Sequence, residues 1–172
     1  VYVRRGPASP DYSALTEVAL GQRFVAFARH VDGSDTWYRI HLPCGNGNSC
    51  AGWIAGVAAG TTYAELRSSA TAIEVFGTGT AGFNVRVAPG GSKLDKVYDG
   101  QRFVVSDTLP PDEDCSSLWY QIDLPAVSGA ETGWICGDYA RPVGSAEGDV
   151  LSVGGTVRLR SDALDGVSLN LS

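Results

Sequence analysis

Apolar and polar residues alternate with a period of two along much of the chain, and residues 37–42 show this most clearly. In an extended segment, one face of this stretch carries Tyr38, Ile40 and Leu42. The opposite face carries Trp37, Arg39 and His41. Because successive side chains of a β-strand point to opposite faces, the pattern predicts a strand with one face packed inward.

The pattern returns about 80 residues later together with its surroundings, so the chain contains two copies of one unit. The blocks of the first copy are Val3-Arg4, Gly21-Gln22-Arg23-Phe24-Val25, Trp37-Tyr38-Arg39-Ile40, Leu42-Pro43 and Gly52-Trp53-Ile54. The blocks of the second copy are Val85-Arg86, Gly100-Gln101-Arg102-Phe103-Val104, Trp119-Tyr120-Gln121-Ile122, Leu124-Pro125 and Gly133-Trp134-Ile135. Five blocks in the same order indicate a tandem duplication.

Turn residues are dense, with 22 Gly and 8 Pro, and no stretch keeps a helical period over three turns. We therefore predict an all-β chain of two small barrels, in which each Gly-Trp-Ile strand returns as a hairpin. The predicted domains are 1–68 for the first barrel, 69–143 for a linker strand and the second barrel, and 144–172 for a β-rich tail. Tyr63 and Tyr139 are predicted to begin short closing segments, either helical or extended.

The two copies differ at their beginnings. A strand-like segment, Ala72–Phe76, precedes the second copy, whereas the first copy begins at Val1. The tail contains alternating segments at 149–153, 156–160 and 167–171. The tail is interpreted as a truncated third repeat, or as the source of a strand for the unpaired sheet edge of the first copy, in the same chain or in a neighbouring molecule.

The four cysteines fall two to a copy, which predicts the bridges Cys44–Cys50 and Cys115–Cys136. Small domains bury too little surface to be very stable alone, and a disulfide compensates for this. The alternative, a metal site of His41, Cys44 and Cys50, lacks a paired Cys-x-x-Cys spacing. We therefore predict disulfides and no metal.

The formal net charge of −6 argues against nucleic-acid partners and anionic lipid surfaces. No apolar run approaches the ~20 residues of a membrane span. The chain begins at Val1 and has no Met, so we expect a mature or excised segment of a secreted protein.

No set of residues composes an active site. His30 and His41 have no histidine counterparts in the second copy, where Asp123 replaces His41. The cysteines are assigned to bridges, so a nucleophile beside a base is missing. The acidic loops at 32–35 and 112–114 offer carboxylates but no complete calcium-ligand pattern. We predict no enzymatic activity and no cofactor.

The repeated motifs resemble the bacterial SH3-like domain family, in two tandem copies. The resemblance rests on Val3-Arg4 and Pro7, Gly-Gln-Arg-Phe-Val, Trp-Tyr-x-Ile-x-Leu, Gly-Trp-Ile and a closing tyrosine. The second copy departs from the usual opening by placing Ala88 where glycine is usual. The resemblance implies partly open barrels that are generally non-catalytic and often bind peptidoglycan peptide or glycan, so we expect a secreted or cell-surface bacterial module.

The candidate ligand-binding residues are the tryptophans of the repeated strands. They are Trp37, Trp53, Trp119 and Trp134. If Tyr38 and Tyr120 point inward, the neighbouring indoles point outward, and exposed tryptophans are enriched where proteins bind partners. The other interpretation is that each indole caps a barrel or packs on the sister domain.

The alternative function is structural. If residues 146–172 supply a strand to the first domain of the next molecule, the contact is heterologous and propagates a head-to-tail filament. The sequence then predicts the subunit of an extracellular homopolymer.

Overall fold

The computed structural model describes residues 1–7, 14–45, 50–67, 70–125, 130–143, 149–154, 157–158 and 170–171. These residues form an all-β chain, as predicted, with two single-turn 3₁₀ segments at Gly79–Ala81 and Gly137–Tyr139. In this part of the chain, no helix has the length and apolar character that crossing a membrane requires.

Seventeen strands run through the described residues. Those of the first repeat are β1 (Tyr2–Arg4), β2 (Ala14–Glu17), β3 (Arg23–Asp32), β4 (Asp35–His41), β5 (Ala51–Ala58), β6 (Thr61–Thr62) and β7 (Ala64–Arg67). Those of the second repeat are β8 (Ala72–Val75), β9 (Phe83–Arg86), β10 (Lys93–Val97), β11 (Arg102–Leu109), β12 (Trp119–Asp123), β13 (Thr132–Cys136) and β14 (Ala140–Val143). The tail adds β15 (Asp149–Val153), β16 (Val157–Arg158) and β17 (Asn170–Leu171).

The two repeats build antiparallel sheets with equivalent strand orders. The strand order of the first sheet is β2-β1-β5-β4-β3-β15-β7, with β6 paired to β5, and that of the second is β10-β9-β13-β12-β11-β8-β14. The predicted hairpin returns are the β4–β5 and β12–β13 pairs, in which Arg39 lies opposite Trp53 and Gln121 opposite Trp134. The closing segments are both extended, as β7 and β14.

Each sheet packs one face against its own buried cluster. Ile40 and Ile54 lie in the first cluster, and their counterparts Ile122 and Ile135 lie in the second. Gly52 lies so close to Val3 that a Cβ at this position would stand 2.3 Å from the valine Cγ1, and Gly133 stands in the same relation to Val85. The repeated glycine before each tryptophan therefore lets β5 and β13 approach the Val-Arg strand. The closure of each repeat into a barrel stays a prediction.

Strand β15 takes the position in the first sheet that β8 holds in the second. It lies between β3 and β7, with Val150 opposite Val25 and Arg67, and Leu151 opposite Phe24 and Leu66. In the second sheet, Ala72 lies opposite Val104 and Val143 in the same way. The first sheet thus takes strands from both 1–68 and 144–172.

Of the alternatives for the tail, the structure shows pairing within the same chain for residues 149–153. The other predicted tail strands are described only at β16 and β17, which pair with each other. The remainder of 156–160 and 167–171 lies outside the described residues. In a truncated third repeat, Leu159-Arg160 would be the equivalent of Val85-Arg86, and these two residues also lie outside the described part.

The two repeats are joined by a reciprocal pair of glutamines. Gln22 Nε2 donates to the Leu124 carbonyl at 2.7 Å and to the Glu131 carbonyl at 3.1 Å. Gln101 Nε2 donates to the Leu42 carbonyl at 2.8 Å and to the Cys50 carbonyl at 3.2 Å. Each glutamine, only 7% and 4% exposed, therefore reaches the neck of the hairpin in the other repeat.

The residues beside the glutamines repeat this exchange. The Arg23 amide donates to Asp123 Oδ2 at 3.1 Å, and the Arg102 amide donates to His41 Nδ1 at 2.9 Å. A small apolar cluster fills the space between the sheets, formed by Val25, Ala72, Val104 and Val150 with Ala70 and Val143 packed against it. Since equivalent residues make equivalent contacts in both directions, the interface is isologous, like that of a two-fold dimer.

We expect the glutamine bonds to contribute measurably to stability. Gln22→Ala leaves the Leu124 carbonyl without this donor, so the free energy of unfolding in urea should fall by about 1–3 kcal/mol. Gln121→Ala is the control, because its side chain meets the exposed Ser106 hydroxyl, and it should change the free energy by about 0.5 kcal/mol or less. Equal effects of the two variants would contradict a special role for Gln22.

Candidate ligand-binding surface

Both predicted disulfides are confirmed. Cys44 pairs with Cys50 and Cys115 with Cys136, and no cysteine of the chain is free. The first bridge closes the neck of the β4–β5 hairpin, where the Leu42 amide also donates to the Cys50 carbonyl at 2.9 Å. Gln101 donates to the Leu42 carbonyl at this neck. The loop residues 46–49 within this bridge lie outside the described residues.

The expectation of four outward, exposed indoles is wrong for three of them. Trp37 is 7% exposed, Trp119 1% and Trp134 8%. Trp37 and Tyr38 are neighbours on β4 and both are buried, so both faces of the strand are covered at its beginning. The pair Trp119 and Tyr120 begins β12 in the same way.

In the second repeat, the disulfide itself accounts for the burial of the tryptophans. Trp119 and Trp134 form one buried cluster with Cys115 and Cys136, and Phe83 packs against it. The bridge joins the loop before β12 to the end of β13, so it covers the face on which the sequence predicts exposed indoles. For Trp119 and Trp134, the structure therefore agrees with the second sequence interpretation, in which the indoles pack inside the protein and are not exposed.

Trp53 is the tryptophan that stays half-exposed, and it lies in a group of aromatic and cationic side chains. The guanidinium carbon of Arg39 stands 6.0 Å from the centroid of the Trp53 ring and 5.4 Å from that of Phe27. His30 meets Trp53 edge to face at 6.2 Å. This group, Phe27, His30, Arg39, His41 and Trp53, is here called the Arg39 face.

Strand geometry brings the Arg39 face together. Trp53 lies opposite both Arg39 on β4 and Arg4 on β1, so these three positions share one face of the sheet. The pairing of β3 with β4 shifts register between Ala26 and Ala28, and Phe27 lies at this irregularity. There its ring stacks on His41 with centroids 4.1 Å apart and planes inclined by 13°.

Arg39 has an unusual set of partners for an arginine. Its side chain is exposed and contacts two aromatic rings. Within the part of the chain that the structure describes, no carboxylate lies within ion-pair distance of its guanidinium. Its planar group therefore keeps its hydrogen-bond donors available to a ligand.

His41 links this surface to the interface between the repeats. Burial lowers the pKa of His41 to about 4, and the positive charges of Arg102 and Arg39 act in the same direction. Its Nδ1 accepts from the Arg102 amide, which requires an unprotonated nitrogen. His41 is therefore neutral at pH 7. It packs against the Phe27 ring and accepts a hydrogen bond from the Arg102 amide.

The second repeat lacks this surface. Gln121 stands at the position of Arg39, Asp123 at that of His41, and Trp134 is buried where Trp53 is half-exposed. Burial raises the pKa of the Asp123 carboxyl, while the amide and guanidinium of Arg23 oppose this effect. The second-repeat positions equivalent to Arg39, His41 and Trp53 therefore do not form a face of this kind.

Sequence reasoning found Trp53 but not Phe27 or Arg39 as members of a site. The available signal was the difference between the copies, since the polar positions of this strand carry the guanidinium of Arg39 and the imidazole of His41 where the second copy has Gln121 and Asp123. The position of Phe27 depends on the register shift in β3, which no residue pattern marks.

Carboxylates of both acidic loops accept hydrogen bonds from backbone amides. Asp112 Oδ1 accepts from the Asp114 and Cys115 amides at 2.9 and 3.0 Å, and Asp35 Oδ1 accepts from the Ala59 amide at 3.0 Å. Among the described residues, the grouping with potential metal ligands is Cys115, Cys136 and Asp138. Both of its sulfurs are joined in a disulfide, so they are not the thiolates that a metal requires.

Comparison with protein-family models, with curated proteins and with solved structures finds no match to this chain. The similarity to bacterial SH3-like domains therefore depends on the repeated motifs alone.

We expect a specific pH dependence from His41. Its folded pKa of about 4 lies below the ordinary 6.5, so the unfolded chain takes up the proton first. The resulting stability is complete above pH 6.5 and is lost as the pH falls toward 4, by at most about 3 kcal/mol.

The measurement is urea unfolding of the parent and of His41→Asn between pH 4 and 7. Asparagine can accept from the Arg102 amide but does not titrate, so the difference in unfolding free energy between the two proteins should change by about 2–3 kcal/mol across this range. His30→Asn, at the exposed histidine, is the control. A difference that is constant with pH would contradict the buried, neutral state of His41.

Proposed function

We propose that this chain is a non-catalytic, secreted module that binds bacterial cell-wall peptide or glycan through the Arg39 face. The observation that carries the proposal is an exposed arginine between two aromatic rings without a carboxylate partner among the described residues. Arg and Trp are the residue types most often found at the energetic centres of binding surfaces.

The chemistry of the Arg39 face favours a ligand with a carboxylate beside an apolar or ring-shaped group. A guanidinium forms paired hydrogen bonds with a carboxylate, and its planar fork is already oriented by the two rings. Trp53 offers a flat apolar face next to it. Wall peptides carry carboxylates and short apolar side chains, so they fit both features.

The charge distribution supports an anionic ligand. The whole chain carries a formal net charge of −6, yet Arg4 and Arg39 lie on the two strands that flank Trp53. The charge of Arg39 attracts an anion, while the net negative charge of the chain disfavours nucleic acid. Of the four tryptophans predicted as ligand-binding residues, the proposal retains Trp53.

The state of the histidines and cysteines supports a non-catalytic role. His41 is half-buried and bonded to a backbone amide, His30 is exposed beside Trp53, and all four cysteines are in disulfides. A nucleophile paired with a base would need a free thiol or an activated hydroxyl beside one of these imidazoles. Disulfides are also typical of proteins outside the cytosol, which supports secretion.

The alternative of a head-to-tail homopolymer has a structural requirement. Strand β15 is already paired on both sides in its own chain, so a polymer requires it to leave that position and enter a neighbour. Binding through the Arg39 face requires no such rearrangement, and we therefore prefer it.

The test is retention on purified peptidoglycan. Arg39→Gln introduces the residue of the second repeat and should weaken binding at least tenfold, because a charge-assisted hydrogen bond contributes about 1.5–3 kcal/mol. Trp53→Ala should have a similar effect. Retention of the parent should also fall with added salt, since exposed charges are screened.

Arg29→Gln is the matched control for charge. Arg29 is exposed on β3 but lies opposite Tyr38, so it belongs to the other face of the sheet. This variant should bind like the parent. If the parent is not retained, or if Arg39→Gln and Arg29→Gln bind equally, the proposal is refuted.

A further inference from the structure

We propose that the space between β3 and β7 is a strand-accepting site, and that a second copy of this chain can fill it with its own β15. The proposal does not rest on the wall-ligand proposal, because β15 pairs with residues 23–26 of β3 and the Arg39 face uses Phe27 and His30 farther along that strand. Its basis is that the first sheet is completed by a strand that does not belong to the first repeat.

The backbone of β15 is bonded along both edges. Four consecutive residues pair with β3 and four with β7, all antiparallel. At its end, the Val153 carbonyl accepts from the Gly21 amide at 3.0 Å, and the Gly154 amide donates to the Tyr63 carbonyl at 2.8 Å. Without β15, both neighbouring strands would present unpaired donors and acceptors.

The side chains of β15 supply the specificity of the site. Leu151 and Val153 are 0% and 2% exposed and lie in the core cluster of the first sheet. Val150, on the other face, lies in the cluster between the repeats. The site therefore accepts an extended segment of the pattern Val-Leu-x-Val, with main-chain bonds for affinity and alternate side chains for register.

The equivalent strand β8 is attached differently. It is followed in the same repeat by β9, to which it is joined through residues 76–82. By contrast, β15 follows the second repeat, and the residues between Val143 and Asp149 are 144–148. A β15 from a second chain would make the same contacts in the first sheet, so the choice of chain depends on the tether and not on the contacts.

Within the described residues, each chain has one such strand and one such site, so two chains that exchange strands reciprocally satisfy both sites. The product is a closed dimer of two-fold symmetry, and a one-way exchange would instead leave an open end. We therefore expect the closed dimer as the product.

The experiment changes the tether and leaves both partners intact. Deleting residues 145–147 of the full chain shortens the segment before β15, so the strand should reach its own site less easily and the measured mass in light scattering should double. Inserting Ser-Gly-Ser after residue 146 is the matched control and should leave the mass of a monomer. Adding Leu151→Asp to the deletion should abolish the dimer, because a carboxylate would enter the core.

A second measurement applies if the deletion variant does not fold. The parent, unfolded in guanidinium with its disulfides intact, is refolded over a series of concentrations up to about 1 mM, the effective concentration of a short tether. The dimer fraction should rise with concentration in the parent and not in Leu151→Asp. A deletion variant that folds as a monomer, or a parent that refolds only to monomer at every concentration, would overturn the proposal.

Discussion

The first repeat can bury its core only if residues 149–153 lie between β3 and β7, and the remaining architecture depends on this insertion. Leu151 and Val153 are among the most buried side chains of the first core, although they come from beyond the second repeat. The chain must therefore fold back over the whole second repeat before the first sheet is complete. Because β15 and β3 are far apart in the sequence, the first repeat can complete its folded sheet only when the second repeat is folded as well.

The isologous interface strengthens this dependence. Gln22 and Gln101 each satisfy two carbonyls at the hairpin neck of the other repeat, and Val150 of the inserted strand packs with Val25 and Val104 between the sheets. The Cys44–Cys50 bridge lies at one of these necks, so the covalent staple and the hydrogen bonds hold the same segment. His41 then connects the interface to the Arg39 face, because it accepts from Arg102 on one side and stacks on Phe27 on the other.

Sequence patterns predicted the features that depend on local alternation along a strand. They failed to predict the exposure of side chains that a distant segment covers. The all-β class, the two hairpin returns, the strand at Ala72–Val75 and both disulfides follow from period-two patterns and cysteine placement. The exposure of Trp119 was wrong because alternation gives the face of a strand, while the disulfide that covers that face comes from another segment. The pairing of β15 stayed open because a Val-Leu-x-Val segment fits any edge with an apolar face.

The roles of Gln22 and Gln101 also escaped sequence reasoning. They appear in the repeated Gly-Gln-Arg-Phe-Val block, and their repetition marks them only as part of the duplicated unit. Their partners are backbone carbonyls, which every residue carries, so the residue types in the hairpin necks do not predict the contact. A polar residue kept in both copies directly after the turn glycine was the available signal.

The central claim is that the two repeats and the inserted strand form one cooperative unit. Differential scanning calorimetry of the full chain with intact disulfides tests it most directly, because the calorimetric and van't Hoff enthalpies agree only for an all-or-none transition. The account predicts a single transition with equal enthalpies. Two resolved transitions, or a calorimetric enthalpy about twice the van't Hoff value, would show that the repeats unfold separately and would contradict it.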